Sequence, residues 1–340
     1  MMISWELKKI FNAKTVSIVL ALLIFLLGIT IFLKPTLETE NIYRNDRYEL
    51  IEDTRSKEEI AGGKFNEKIH QLEEVVNISE DNPFTNKLKN TAEEYLSSMK
   101  YREYKDVDFY KVFNYRVDHP FMSIIIVIIL VLIFSNIYTD EIISGVDNII
   151  LSSKNKFKTL YSKLALAIII PIVIYGLYLG VVFLITLVQY GMPVNGELEA
   201  FRIVDIGAFF YKAYTIIQYL TLKVATITVI LISIAVFASF FSFISTNSLT
   251  SISATLIFIG IGKVLTVIKF LPSSLLIILS KVNYINLIFY PDGFIGIYAG
   301  QVDIFGKNLD ILSLSNGILI SMIFLGVALC VFAFKKLLTR

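Results

Sequence analysis

Five uninterrupted apolar runs constrain this chain more than any other feature of its sequence. They contain no Asp, Glu, Lys or Arg, and they cover residues 16–33, 121–138, 164–190, 224–262 and 311–334. A helix of about 20 residues crosses the roughly 30 Å of hydrocarbon in a bilayer. Each run is therefore long enough to span a membrane, in agreement with a hydrophobic share of 55% over 340 residues.

The run at 224–262 is too long for one span, and its centre reads FSFISTNSLTS, a polar cluster typical of a turn. We therefore predict an all-α polytopic membrane protein with six spans, at 16–33, 121–138, 164–190, 219–244, 251–270 and 311–334. A cleaved signal peptide is the alternative for the first run. Its length, and the absence of a small-x-small site in the following KPTLETE, favour a retained helix.

The distribution of lysine and arginine predicts the orientation, because short cytoplasmic segments are enriched in both. It places 1–15, 139–163, 245–250 and 335–340 in the cytoplasm, and 34–120, 191–218 and 271–310 outside. We expect a multi-pass protein of a bacterial cell membrane with both termini inside. The outer segment 34–120 carries more acidic than basic residues, so we expect no nucleic-acid partner. Cys330 is the one cysteine, which excludes an intrachain disulfide.

The segments outside the spans have helical patterns of their own. In 1–15 an apolar face predicts an amphipathic connector helix that touches a cytoplasmic partner, or a plain interfacial anchor. In 34–120 the pattern predicts a helical hairpin broken at SEDNP, with a weaker helix at 42–60 set apart by Gly62 and Gly63. This outer domain is either a ligand-binding module or a lid. Re-entrant or interfacial helices fit 191–218 and 271–310 best.

Residues that carry out catalysis or bind metals are not evident. The two histidines, His70 and His119, do not form an HExxH motif or lie near the cysteine, and AGGKF lacks the rest of a nucleotide-binding P-loop. We therefore expect no enzyme activity, no metal site and no cofactor in this chain.

The cytoplasmic loop that begins DEIISGVDNII has the most informative pattern. Plotted at 100° per residue, 140–150 forms one amphipathic helix. Its apolar face has Ile142, Val146, Ile149 and Ile150, and its polar face has Asp140, Glu141, Ser144, Asp147 and Asn148. Such a helix would lie flat on the membrane and turn its acids to the cytoplasm. An acidic face there indicates a protein partner, and a helix needed only for folding is the alternative.

This loop resembles the one after the second span of type-2 ABC export permeases. The shared pattern is Glu141, Gly145, an aliphatic run at 149–151, Ser152, Lys154 and Lys163. The layout is also similar, with an amphipathic helix before six spans and a polar turn between the fourth and fifth. The sequence departs from that family at Val146, Ser153 and Lys154, where Thr, Pro and Arg are frequent, and the outer segment 34–120 is larger than in minimal members.

The resemblance implies that this chain is a transport subunit that pairs with a second permease chain, identical or homologous. A separate ABC ATPase subunit, which holds ATP and Mg, would drive it. The residues implied in ATPase coupling are Glu141, Gly145, Asp147, Asn148, Glu6 and Lys9. Gly145 would permit close approach because it has no Cβ.

Three lysines, Lys223, Lys263 and Lys269, are candidates for the substrate pathway, with snorkelling to the membrane surface as the alternative. A membrane sensor whose outer domain binds a ligand is the alternative function. A four-span permease with a larger outer domain is disfavoured by the number of spans.

Overall fold

The computed structural model describes residues 2–44, 50–204, 210–268, 271–304 and 306–338. In chain order, its helices are α1 (Met2–Ile10), α2 (Ala13–Phe32), α3 (Lys57–Val76), α4 (Pro83–Ser98), α5 (Asp108–Val117), α6 (Pro120–Phe134), α7 (Thr139–Ile143), α8 (Asp147–Ser152), α9 (Lys156–Tyr190), α10 (Ile216–Ile244), α11 (Ser248–Leu265), α12 (Ser273–Val282), α13 (Tyr284–Phe289) and α14 (Ile311–Leu337). Its strands form two antiparallel pairs, β1 (Ile42–Arg44) with β2 (Leu50–Glu52), and β3 (Gln301–Ile304) with β4 (Lys307–Asp310).

Among the described residues, six helical stretches are long and apolar enough to cross a bilayer. They are α2, α9, α10, α11, α14 and the stretch Asp108–Ile143, which contains α5 to α7. The chain is therefore a multi-pass membrane protein, as predicted. Helix α9 begins at Lys156, eight residues before the predicted span, so the lysine-rich part of the loop is helical. It also continues through Pro171.

Helix α10 lies at the centre of the bundle and packs against α6, α9 and α14. Gly326 allows α14 to approach α10 closely, since a Cβ added there would lie 2.7 Å from a side-chain carbon of Val236. Successive spans alternate in direction, so the bundle has two ends. We call them the α1 end, which carries α1, α7 and α8, and the hairpin end, which carries α3 and α4.

The predicted helical hairpin is confirmed as α3 and α4. Ser56 and Asn82 cap the two helices by accepting backbone hydrogen bonds, and Pro83 occupies the first turn of α4. The hairpin is not a free-standing module, because Phe65 and Tyr95 pack against Phe201 in the connection between α9 and α10. The hairpin and that connection share one apolar core.

Several local predictions for this end are wrong. The stretch 42–60 has β1 and β2 where a helix was expected, with 45–49 outside the described residues, and Gly62 and Gly63 lie inside α3. In 191–218, the described residues before α10 contain one 3-10 turn, Ala200–Arg202, in place of interfacial helices.

In 271–310, the short helices α12 and α13 agree with the predicted helices, but β3 and β4 follow them, joined by a turn at Gly306 with φ of 78°. The fold is thus mainly helical, with two small strand pairs, rather than all-α.

Candidate functional site

Three elements at the α1 end place charged side chains inside the protein. Glu6 lies one turn before the buried Ile10, so both project from the same face of α1 toward the bundle. Glu141 lies on α7, and Lys163 lies two turns into α9. Glu6, Glu141 and Lys163 are 3%, 5% and 1% exposed, respectively. With Lys9 they form what we call the ion cluster.

Lys163 holds the ion cluster together. Its Nζ donates to Glu6 Oε2 at 2.8 Å, to Glu141 Oε1 at 2.9 Å and to the carbonyl oxygen of Ile137 at 2.6 Å. An ammonium group has three hydrogens, so these three acceptors saturate it. One buried side chain of α9 is therefore bonded to α1, to α7 and to the backbone just before α7.

Lys9 completes the ion cluster from its solvent side. Its Nζ lies 2.8 Å from Glu141 Oε1 and 3.1 Å from Glu6 Oε1. Burial opposes the charge of Lys9, but the hydrogen bond and the charge of Glu141, together with Glu6, outweigh that effect and raise the pKa of Lys9 above 10.5. The ion cluster thus contains two carboxylates and two ammonium groups, and its charges balance.

A balanced, buried cluster resists separation of the elements that it joins. Removing one member of a buried, hydrogen-bonded pair typically destabilises a protein by about 3–5 kcal/mol, because it leaves an uncompensated charge. Separating α1 or α7 from α9 would break the same contacts. We therefore expect α1, α7 and the start of α9 to move together.

Gly145 ends α7 and divides the predicted loop helix in two. Its φ is 67°, its N–H bonds the carbonyl of Ile142 at 3.0 Å, and the N–H of Val146 bonds the carbonyl of Glu141 at 3.0 Å. This pair of bonds is the Schellman helix ending, which favours glycine at the residue with positive φ. The prediction of one continuous helix over 140–150 is therefore wrong, and its two faces do not persist.

The break changes which side chains are exposed. Glu141, expected on the acidic outer face, is buried, whereas Ile143 and Ile149 are 65% and 67% exposed. Asp147 and Asn148 lie beyond the break on α8. Beside the ion cluster, α1, α8 and the start of α9 line a cavity of about 680 Å³, and Trp5, Lys9, Ile149 and Lys158 are among the residues on its wall.

Of the six predicted coupling residues, the structure thus brings Glu6, Lys9 and Glu141 into direct contact. It places Gly145 at the adjoining turn and Asp147 and Asn148 on a separate short helix. Lys163 was predicted only as part of the loop pattern that resembles the permease family. A lysine in the first turns of an apolar membrane helix either reaches the membrane surface or pairs with an acid or a carbonyl, and the second alternative was the signal for its role.

Of the three candidate pathway lysines, the two within the described residues occupy different environments near the hairpin end. Lys223 was expected near the membrane surface, but it is fully buried, with Nζ 2.9 Å from Asp118 Oδ2 and 2.6 Å from Asp292 Oδ1. Lys263 is exposed and donates to Asn286 Oδ1 at 3.1 Å. Lys269 lies outside the described residues.

The Asp118, Lys223 and Asp292 side chains form what we call the ion triad. Tyr219 also donates to Asp292 Oδ1, at 2.8 Å. Burial opposes the charge of Asp292, but the charge and hydrogen bond of Lys223 outweigh it and lower the pKa of Asp292. Sequence reasoning missed both aspartates, although a lysine within an apolar span again required them. No group of three or more His, Cys, Asp or Glu suited to a metal occurs within the described ranges.

Comparisons with models of protein families, with curated proteins and with solved structures give no match to this chain.

Proposed function

We propose that this chain is the membrane-spanning permease subunit of an ABC exporter. In this proposal a separate ATPase subunit binds the α1 end, which faces the cytoplasm. Two permease chains form the pathway and move a substrate such as a peptide or an antimicrobial compound out of the cell. The chain contributes the moving pathway, and the ATPase subunit contributes ATP hydrolysis.

The observation that carries this proposal is the ion cluster. Lys163 joins α9 to α1 and α7, two of the three helices that carry the residues implied in ATPase coupling. A force on either element is passed to a membrane helix through bonds of 2.8 and 2.9 Å rather than through a flexible loop. A partner shifts an equilibrium only when its contacts differ between two states. In this proposal the ATPase contacts on α1 and α7 differ in that way, and the ion cluster passes the difference to α9.

The surface beside the ion cluster supplies the contact area in this proposal. Trp5, Ile143 and Ile149 are each about two-thirds exposed, and they lie next to the polar Asp147 and Asn148 of α8. Exposed apolar side chains with a polar border are typical of protein interaction surfaces. We assign this surface to the ATPase subunit.

Co-purification of the full chain from its native membranes in mild detergent tests the proposal. We expect wild type to retain an ATPase subunit that carries a P-loop, and Ile149→Glu to lose it, because a charge would be buried at the contact. Ile42→Glu is the matched control, since Ile42 is 55% exposed at the hairpin end. That variant should retain the ATPase subunit.

A different set of results would contradict the proposal. Retention of a kinase in place of an ATPase subunit would favour the membrane sensor. Equal retention of the ATPase subunit by Ile149→Glu and wild type would show that the assigned surface is not the ATPase contact.

A further inference from the structure

The ion triad has one carboxylate more than its lysine requires. Lys223 is fully buried and is bonded to both aspartates. The side chain of Asp118 is 10% exposed, whereas that of Asp292 is 42% exposed. If Asp292 turned away, Lys223 would keep Asp118 as its counter-ion, and no buried charge would be left unpaired. Asp292 is therefore the carboxylate that can serve a second cation.

Two cavities give access to Asp292. One has a volume of about 510 Å³ and the other about 520 Å³, and Tyr115 and Asp292 are on the walls of both. The backbone beside Asp292 is held in place, because Lys281 Nζ donates to the carbonyl of Gly293 at 3.4 Å. The Asp292 side chain thus forms part of the partition between two spaces that are each large enough for a small organic molecule.

The wall of the second cavity suits a cation. It is lined by both aspartates and by the aromatic side chains of Tyr115, Phe289 and Tyr290. Tyr290 is 72% exposed and Tyr115 is 38% exposed. An ammonium group is attracted both to a carboxylate and to the face of an aromatic ring, and the attraction increases where water is excluded.

A polar group on the wall of the first cavity has no hydrogen-bond partner among the described residues. Asn114 is 7% exposed, and its side-chain oxygen accepts no hydrogen bond from the residues that the structure describes. The lysines on that wall each hold a carboxylate already, Lys34 with Glu40 at 2.7 Å and Lys111 with Glu38 at 2.8 Å. A ligand that brings its own donors would satisfy Asn114.

We propose that Asp292, with the aromatic rings of the second cavity, forms a binding site for an organic ammonium group. The ammonium shares or replaces the contact of Asp292 with Lys223, and Lys223 stays paired with Asp118. Movement of the Asp292 side chain then connects the two cavities. A free amine and the amine of a phosphatidylethanolamine headgroup have the same chemistry at this site. The site does not depend on an ATPase partner.

The test uses the purified full chain in nanodiscs of phosphatidylcholine and phosphatidylglycerol. Benzylamine is the probe, and benzyl alcohol is its neutral analogue, with binding followed by calorimetric titration. We expect saturable binding of benzylamine and none of benzyl alcohol. Asp292→Asn should weaken benzylamine binding by about tenfold or more, because a charge-assisted hydrogen bond is lost.

Two further variants keep the result interpretable. Asp118→Asn should also weaken benzylamine binding, since Asp292 then becomes the sole counter-ion of Lys223. Asp303→Asn, a change at an exposed acid on β3 away from the cavities, should bind benzylamine as wild type does. Equal binding of benzyl alcohol and benzylamine, or unchanged binding by Asp292→Asn, would overturn the proposal.

Nanodiscs that also contain phosphatidylethanolamine distinguish the two sources of the amine. Weaker benzylamine binding in that lipid, with no such change in Asp292→Asn, would identify the headgroup as the resident ligand. Equal benzylamine binding in both lipids would exclude the headgroup and leave a soluble amine as the ligand of the site. Either result supports the ammonium site.

Discussion

The ion cluster and the ion triad both contain a buried lysine, but they differ in charge balance. At the α1 end, Lys163 and Lys9 face two carboxylates, so each charge has its counter-charge. In the ion triad at the hairpin end, a single ammonium group, that of Lys223, faces two carboxylates. In a balanced cluster the loss of any member leaves a charge without a counter-charge, so we expect the ion cluster to act as a joint. An unbalanced one keeps a spare, partly exposed carboxylate that can change partners. We therefore expect the ratio of charges to distinguish a joint from a binding site more clearly than burial does.

Removing each lysine should produce the largest difference between the two ends. Lys223→Met leaves Asp118 buried without a counter-ion, and we expect a loss of about 3–5 kcal/mol in the free energy of unfolding. Lys163→Met also leaves one carboxylate charge in excess, but Glu6 and Glu141 both keep contact with Lys9, whose side chain is 44% exposed. Its loss should therefore be smaller, about 1–3 kcal/mol. Unfolding in mixed micelles, followed by far-UV circular dichroism, measures both values.

The double variant Lys223→Met with Asp118→Asn is the control for this comparison. It removes both charges, and its stability should recover most of the loss. A larger loss for Lys163→Met than for Lys223→Met would show that charge balance does not distinguish the two ends.

A backbone substitution should have a smaller effect. Gly145 and Gly306 have φ of 67° and 78°, and neither has an atom near an added Cβ. Alanine at either position should therefore destabilise by a similar amount, about 1–2 kcal/mol, because L-residues disfavour this conformation. In addition, Gly145→Ala should disturb the turn after α7 and reduce retention of the ATPase subunit, whereas Gly306→Ala should leave retention unchanged. Co-purification measures that difference. Equal retention by both variants would show that the turn after α7 does not contribute to ATPase contact.

The smallest expected effects come from pH. The pKa of Lys9 is raised above 10.5, so its contribution to stability is present below that pH and is lost as pH rises through the folded value. Burial opposes the charge of Glu38 at the hairpin end, but Lys68 and Lys111 outweigh it and lower the pKa of Glu38 below 4.5. The contribution of Glu38 is therefore present above that pH and is lost as pH falls through the folded value.

The unfolding midpoint, measured as a function of pH, checks both directions. Lys9→Met should flatten the alkaline limb, and Glu38→Gln should flatten the acidic limb. If the alkaline limb persisted in Lys9→Met and the acidic limb in Glu38→Gln, other groups would be responsible for the pH dependence of the unfolding midpoint.

The sequence predicted the parts of the fold that depend on long apolar runs. The ends of α10 and α14 lie within three residues of the predicted spans, because a membrane helix is specified by its composition alone. The hairpin of α3 and α4 was predicted for a similar reason, since its apolar residues repeat at helical spacing.

The interior of the candidate site was not predictable in the same way. A helical plot assigns Glu141 to solvent because it is charged, and its burial depends on Lys163, which follows 22 residues later. Glu6 and Lys163 are separated by 157 positions, which periodicity cannot relate. Gly145 was noted for its missing Cβ, although its positive φ is what ends α7.

The response of α1 to ATP tests the central claim most directly. Trp5 is the one tryptophan of this chain, and it lies on α1 beside Glu6. The complex of the full chain with its ATPase subunit is placed in nanodiscs, and tryptophan emission is recorded before and after ATP, with Trp5→Phe as the blank. We predict that ATP changes Trp5 emission in wild type and that Glu141→Gln, which weakens the ion cluster, reduces this change while the ATPase subunit stays bound. Trp5 emission that does not respond to ATP in the intact wild-type complex would contradict the account.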